Sequence, residues 1–360
     1  MKNQPSILVI CLLAALALPG TLKAQTNSGL QEENSQALTV NQPDSSQIMT
    51  SLTSTDYAIR GLTRTQGTTA GAPMKESKEL TTPSVAPESE DGFSAPAAYA
   101  EYRYAQIQDN RTVGFDGPQH NGIVGFDFES FCKTIVGFNF TYTNSNLETG
   151  SSAGLGPDLL NSSDGYFFST YVAKNFDDWV NVGTSLTYGR TDSRFRANFG
   201  GIAPFMLDQD TTQDSFVIAP FVGVAHTWGA FSFSSTPTYI WDYDHYSFGP
   251  TKFSGSDAAA PPDAKTLNQT FLWLNNFQYA VNDKLSLSIQ INWTHLLTAQ
   301  APTVAPGLPI PTFSHQWMSF GGRADYAFNK DGTVFAAFEH DAFSTHFDDY
   351  RIRTGVSYNF

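Results

Sequence analysis

The sequence predicts an all-β protein: a single up-and-down antiparallel transmembrane β-barrel of about 12 strands, preceded by a disordered amino-terminal segment. Three observations predict it. Apolar and polar residues alternate one by one through most of the carboxy-terminal three-quarters of the chain. The connections between the alternating runs are by turns short and long. The final run closes the chain on an aromatic residue, Phe360. Composition agrees. Of 360 residues only 15% are charged and 14% are aromatic, against roughly 25% charged in a soluble domain. A mean hydropathy of −0.25 excludes a bundle of membrane helices, which needs repeated spans of about 20 apolar residues. The net charge of −14 excludes nucleic acid as a partner, since that requires a basic face.

Residues 1–24 read as a signal peptide. Lys2 supplies the positive start, Ile7 to Leu18 is unbroken apolar sequence, Pro19 and Gly20 break it, and Ala24 offers a small residue for cleavage before Gln25. Twelve residues of helix reach only about 18 Å, short of the ~30 Å hydrocarbon core, so this is not an anchor. Removing it takes Lys2, Lys23 and Cys11 with it, so the net charge becomes −16 and Cys132 is left as the sole cysteine. An exported protein without an intrachain disulfide must draw its stability from elsewhere.

Residues 25–96 are rich in Ser, Thr, Gln, Pro and Ala, with almost no aromatics. Their pattern buries no face, and they are expected to be a disordered linker or vestigial passenger. The stretch from Ile48 to Leu62 is the one part expected to form a short helix.

From 97 to 360 the texture changes. Leu285, Leu287, Ile289, Ile291 and Trp293 interleave with Ser286, Ser288, Gln290 and Asn292. Val136, Phe138, Phe140 and Tyr142 interleave with Gly137, Asn139 and Thr141. Period two places one set on each face of a sheet. Twelve such runs fall near 97–107, 120–129, 132–143, 165–174, 179–190, 214–227, 230–243, 268–280, 284–297, 315–328, 332–341 and 349–360. Their length suits tilted passage through a bilayer. The second, fourth, sixth, eighth and tenth connections are tight, among them Trp228-Gly229 and Asn329-Lys330-Asp331. The odd-numbered ones are mostly about 12 to 24 residues by that spacing, as a barrel with both ends in the periplasm requires. Pro220 and Pro237 fall nearly opposite each other on neighbouring runs, so a bulge or weakened pairing is expected there.

Six tryptophans, Trp179, Trp228, Trp241, Trp273, Trp293 and Trp317, lie near run ends and are expected to form interfacial girdles. The last run, Tyr350, Ile352, Thr354, Val356, Tyr358 and Phe360, is expected to serve as the carboxy-terminal assembly signal, with Tyr350, Ile352, Val356, Tyr358 and Phe360 facing outward. If the apolar set faces lipid, then Glu101, Arg103, Asp127, Arg323, Asp325, Glu339, Arg351 and Arg353 line the lumen. They are expected either to neutralise one another at the seam of first and last strands or to form a translocation track.

Catalytic chemistry is not expected. There is no Gly-x-Ser-x-Gly elbow, phosphate-cradling glycine loop or paired cysteine motif. His340-Asp341 with His346 reads as loop residues rather than a metal or acid–base site. Asp208, Asp210 and Asp214, and Asp242 with Asp244, read as acidic external loops. No catalytic, cofactor-binding or metal residue is therefore assigned, and no cofactor is expected.

Residues 97–360 resemble the translocator β-domain of autotransporters (type V secretion). The resemblance rests on Gly122-Ile-Val-Gly-Phe-Asp-Phe, Gly137-Phe-Asn-Phe-Thr-Tyr, Asp164-Gly-Tyr-Phe-Phe and Leu186-Thr-Tyr-Gly-Arg. It extends to Thr236-Pro237 leading into Tyr239, and to the ending Arg353-Thr-Gly-Val-Ser-Tyr-Asn-Phe. It implies a 12-stranded outer-membrane barrel that anchors or exports what precedes it. The expected partners are outer-membrane lipid, the barrel assembly machinery and periplasmic chaperones, with a monomeric barrel. The chain departs from the family in its short amino-terminal region and in lacking a convincing plug helix at Glu88 to Ala97, where Gly92 and Pro96 intervene. Two alternative functions are a passive small-solute pore and a surface protein that binds through its loops.

Overall fold

In a computed structural model of the chain, the first long strand pairs with both the second and the last, so the sheet closes on itself. The described residues are 54–58, 94–108, 116–130, 134–148, 158–176, 179–199, 205–253, 256–298, 316–344 and 348–360, all in the second of two compact units, residues 36–360. The strands are β1 (Ser94–Gln108), β2 (Asp116–Ser130), β3 (Thr134–Glu148), β4 (Asp158–Asn175), β5 (Val180–Phe199), β6 (Phe205–Trp228) and β7 (Phe231–Phe248). They continue as β8 (Thr251–Phe253), β9 (Ser256–Ala258), β10 (Ala264–Ala280), β11 (Leu285–Thr298), β12 (Gln316–Ala327), β13 (Gly332–Ala342) and β14 (Tyr350–Asn359). Setting aside the small β8–β9 hairpin on the flank of β6, twelve strands form the ring, each antiparallel to its neighbours. β1 and β14 close it in continuous register from Ala97↔Asn359 to Gln106↔Tyr350.

All twelve predicted runs are strands, and the tight connections have a local cause. Asn282 Oδ1 accepts from the amides of Lys284 and Leu285, at 2.8 and 2.9 Å. Asn329 Oδ1 does the same for Asp331 and Gly332, at 2.9 and 2.5 Å. Both are Asx turns. Gly229 turns the β6–β7 hairpin at φ +58°, where a side chain would be strained.

The external ends differ from expectation. β3 and β4 stay paired to Glu148↔Leu160, and β5 and β6 to Phe199↔Phe205, so much of what reads as long loop is strand. Apart from Thr184 and His226, lipid-facing residues on β5 and β6 are apolar up to Tyr188↔Phe216. Above that come the cross-strand pairs Arg190↔Asp214, Arg194↔Asp210 and Arg196↔Asp208. Arg194 Nε donates to Asp208 Oδ1 at 2.9 Å. Opposite charges facing across a ladder favour pairing, and with water on both sides neither face need be apolar. Apolar alternation therefore stops where the membrane stops, while the strand does not.

At Pro220 and Pro237 the β6–β7 ladder thins without a bulge. Its bridges run Ile218↔Trp241, Phe221↔Thr238 and Val224↔Ser235 in constant register, and those between are missing. A proline has no N–H to give.

The inward face is organised by aromatic rings laid over glycines directly opposite. Tyr99 faces Gly125, Tyr171 faces Gly137, Phe167 faces Gly189, Phe221 faces Gly183 and Phe335 faces Gly355. A Cβ on Gly137 would stand 2.1 Å from Tyr171 Cζ, and one on Gly125 2.4 Å from Tyr99 Cζ. The missing side chain is what lets each ring lie flat on the wall. Gly137→Val should lower the thermal unfolding midpoint in detergent micelles, overpacking of this kind costing about 1–3 kcal/mol. Gly122→Val, whose Cβ meets nothing within 4 Å, should leave that midpoint unchanged; circular dichroism melts check both.

Candidate functional site

The lumen holds a short helical turn, residues 54–58, within the stretch where a helix is expected. The rest of 48–62, like the remainder of 25–93, lies outside the described residues. Ser54, Thr55 and Ala58 are completely buried, and Tyr57 nearly so. The Tyr57 ring stacks on Tyr99 at 3.5 Å between centroids and 10° between planes. Its hydroxyl donates to Glu101 Oε2 at 3.0 Å. Asn139 Nδ2 donates to Ser54 Oγ at 2.9 Å, and Arg353 Nη2 to Asp56 Oδ2 at 3.4 Å. The turn thus touches β14, β1 and β3. Tyr99 is the sixth residue of β1 and Asn139 the sixth of β3, both counted from the periplasmic side, so the turn sits in the periplasmic half.

The eight charged residues expected inside are all buried. Glu101 is the hub, accepting from Arg103 Nη2 at 2.9 Å, from Arg353 Nε at 2.7 Å and from Arg353 Nη2 at 3.2 Å. Arg353 Nη1 also donates to Glu339 Oε1 at 2.9 Å, and Arg351 bonds Glu339 and Asp341. This links β1, β14 and β13 across the seam. Arg323 and Asp325 form a separate pair on β12, with the guanidinium 3.5 Å over the Phe335 ring. Asp127 stands apart from the seam, accepting from Tyr171 at 3.1 Å. Buried charges survive only when paired and hydrogen-bonded, and here the signs alternate through the chain Asp56, Arg353, Glu101, Arg103.

Asp242 and Asp244 correct the sequence reading: both are buried on the inner wall rather than carried on an external loop. Asp244 accepts from Ser215 at 2.7 Å, Thr266 at 3.3 Å and Asn268 at 3.4 Å. β7 runs five residues past Tyr243, so these aspartates alternate inward. His340 pairs with Asp348, Nε2 to Oδ1 at 2.5 Å; His346 lies outside the described residues. No cluster of three metal-ligating side chains occurs among the described residues.

On the outer surface Trp179 and Trp228 sit at periplasmic ends and Trp317 at the external start of β12. Trp241, Trp273 and Trp293 lie farther inside their strands than expected, because the strands run on beyond the membrane. Trp273 pairs directly with Trp293 and donates its indole N–H to Ser235 Oγ at 2.7 Å. The external boundary is drawn instead by tyrosines with polar partners. Tyr102 meets His120 and Tyr142 donates to Asp164, both at 2.7 Å. Tyr350, Ile352, Val356, Tyr358 and Phe360 all face outward and are exposed.

Replacing one member of a buried ion network strands the others, at about 3–5 kcal/mol. Arg353→Ala should therefore lower the unfolding midpoint markedly, while Arg190→Ala, in the exposed external ladder, should not. Melting curves of the two refolded variants check this.

The chain matches the family model of the autotransporter β-domain over residues 97–339. Among solved structures, the translocator domain of the autotransporter NalP from Neisseria meningitidis is similar at a TM-score of 0.64 and 15% identity, over 74% of this chain and 89% of that one. The β-domain of the Bordetella autotransporter BrkA is similar at 0.53 and 14% identity, over 74% of this chain and all of that one. No curated protein matches in sequence. With a closed twelve-stranded barrel, a lipid-ready outer face and the family model covering most of its length, this chain is an outer-membrane barrel belonging to the autotransporter β-domain family.

Proposed function

We propose that the barrel anchors the protein in the outer membrane and retains its own amino-terminal segment in the lumen, carrying the residues before 54 to the cell surface. The observation that supports this is the turn at 54–58, held by Asp56–Arg353, Tyr57–Glu101, Tyr57–Tyr99 and Ser54–Asn139. A turn fixed through both charge and stacking is suited to retention rather than free passage. The signal peptide at 1–24 delivers the chain to the periplasm, where chaperones keep it unfolded and the assembly machinery reads the outward aromatics of β14. The barrel then works as a monomer, without cofactor or catalysis.

An epitope tag placed after Ser28 should become protease-accessible on intact cells. A tag at Thr53 should stay shielded, since Ser54 beside it is buried. Recovery of the Ser28 tag only from the periplasm would contradict surface display. Phe360→Ala should reduce the amount of folded barrel in the outer membrane without altering its melting once folded, as measured by membrane fractionation and by unfolding of the purified protein. A passive pore would conduct in the full-length form; a plugged lumen conducts only after residues 25–93 are deleted.

A further inference from the structure

The joint between β6 and β7 lies opposite the seam. Counting round the ring from β1–β14, six strands lead to it on either side, β1 to β6 one way and β14, β13, β12, β11, β10 and β7 the other. Pro220 and Pro237 both fall in it, midway along the apolar runs from Phe216 to Trp228 and from Phe231 to Tyr243.

The missing bridges identify the bonds that are lost. In an antiparallel ladder each residue turns its N–H and C=O to the same neighbour. β5–β6 is continuous through Thr184↔Pro220 and β7–β10 through Trp273↔Pro237, so both absent N–H groups belong to the β6–β7 gap. The rung that survives between them is Phe221↔Thr238. It is flanked by donation from Tyr239 N to Pro220 O and from Val222 N to Pro237 O, neither of which uses a proline nitrogen. The reverse bonds cannot form, so Val222 O and Tyr239 O have no ladder donor at a depth where no water replaces one. The other eleven ladders of the ring are unbroken across that depth.

Side chains repeat the pattern. Above the gap Ser215 Oγ donates to Asp244 Oδ1 at 2.7 Å, and below it the hydroxyls of Thr227 and Ser232 meet at 3.1 Å. Between these stitches Val217, Ala219 and Ile240 face inward and pack with Leu272, without a directional bond. A joint pinned at both ends and loose in the middle yields first to rotation about the strand direction. The seam is the reverse, with unbroken register and Glu101 of β1 bonded to Arg353 of β14.

We infer that β6–β7 is a hinge on which the two six-stranded halves of the barrel swing, so that the β1–β14 seam parts and re-forms as a unit while the other ladders stay intact. The lever is long. Twelve strands about 4.8 Å apart and tilted about 40° make a ring roughly 24 Å across. About 10° at the joint therefore shifts the opposite wall by about 4 Å, enough to take N–H···O bonds of about 2.9 Å out of reach. The hinge does not depend on what occupies the lumen, so it stands or falls apart from the retention reading.

Hydrogen exchange of the full-length protein in detergent micelles, read by mass spectrometry, tests it with a disulfide as the lock. Ala219 and Ile240 stand directly opposite in a pair without mutual hydrogen bonds. Cα atoms of such pairs lie about 4.5 Å apart, within disulfide range. Ala219→Cys with Ile240→Cys, in a chain carrying Cys132→Ser, should therefore oxidise across the joint. Before oxidation the amides of 218–224 and 235–241 should exchange roughly tenfold faster than those of 98–104 and 351–357. Oxidation should slow both sets, and dithiothreitol should restore both. Pro220→Val with Pro237→Val, which returns the two N–H groups without any cysteine, should slow the seam as well. A joint that exchanges no faster than the seam overturns the hinge. So does a lock, by disulfide or by valine, that slows the joint and leaves the seam unchanged, since that marks a local soft spot with no lever attached.

Discussion

A strand in lipid has no water to satisfy its amides and carbonyls, and a sheet edge left open there costs several kcal/mol per group. Everything in this molecule follows from meeting that requirement at one place, the β1–β14 seam. Its register holds without a break from Ala97↔Asn359 to Gln106↔Tyr350. At its two ends Phe360 N donates to Pro96 O at 2.9 Å and Asp348 N to Gln108 O at 2.8 Å, so pairing continues past the strand ends. The carboxy-terminal residue is part of the closure itself, with its ring outside in lipid.

The same seam carries the densest charge inside. Arg103 and Arg353 face each other across it, which alone would push the strands apart, and Glu101 sits between them. Arg353 reaches in addition to Asp56 of the enclosed turn. Closure and the enclosed turn thus share one guanidinium. The wall supplies the other half of the grip through its glycines: Tyr99 lies flat because Gly125 offers no side chain, and the flat ring is the surface on which Tyr57 stacks. A glycine on β2 in this way decides how a residue more than sixty positions earlier is held.

The barrel was legible in the sequence because lipid and lumen impose opposite demands on alternate residues. Leu285 to Trp293 and Tyr350 to Phe360 display that alternation openly, and Asn282 and Asn329 mark their turns. The external halves of β5 and β6 were not legible, since Arg190, Arg194 and Arg196 opposite three aspartates satisfy a strand in water without any apolar residue. Asp242 and Asp244 read as loop for a different reason: acidic residues near the end of a run look like surface, and the hydroxyls and amide that take up Asp244 come from β6 and β10. The enclosed turn was only half legible: a short helix is expected over 48–62, of which residues 54–58 are described, but its seat depends on Tyr99, Glu101, Asn139 and Arg353, which the chain brings together only by closing.

The central claim is that a closed barrel exists, and gel mobility in dodecyl sulfate tests it most directly. Envelope protein extracted in mild detergent and left unboiled should run as a compact band, faster or slower than the boiled chain, and convert to the boiled position on heating. Identical mobility before and after boiling, with the protein recovered in the soluble fraction, would contradict the account.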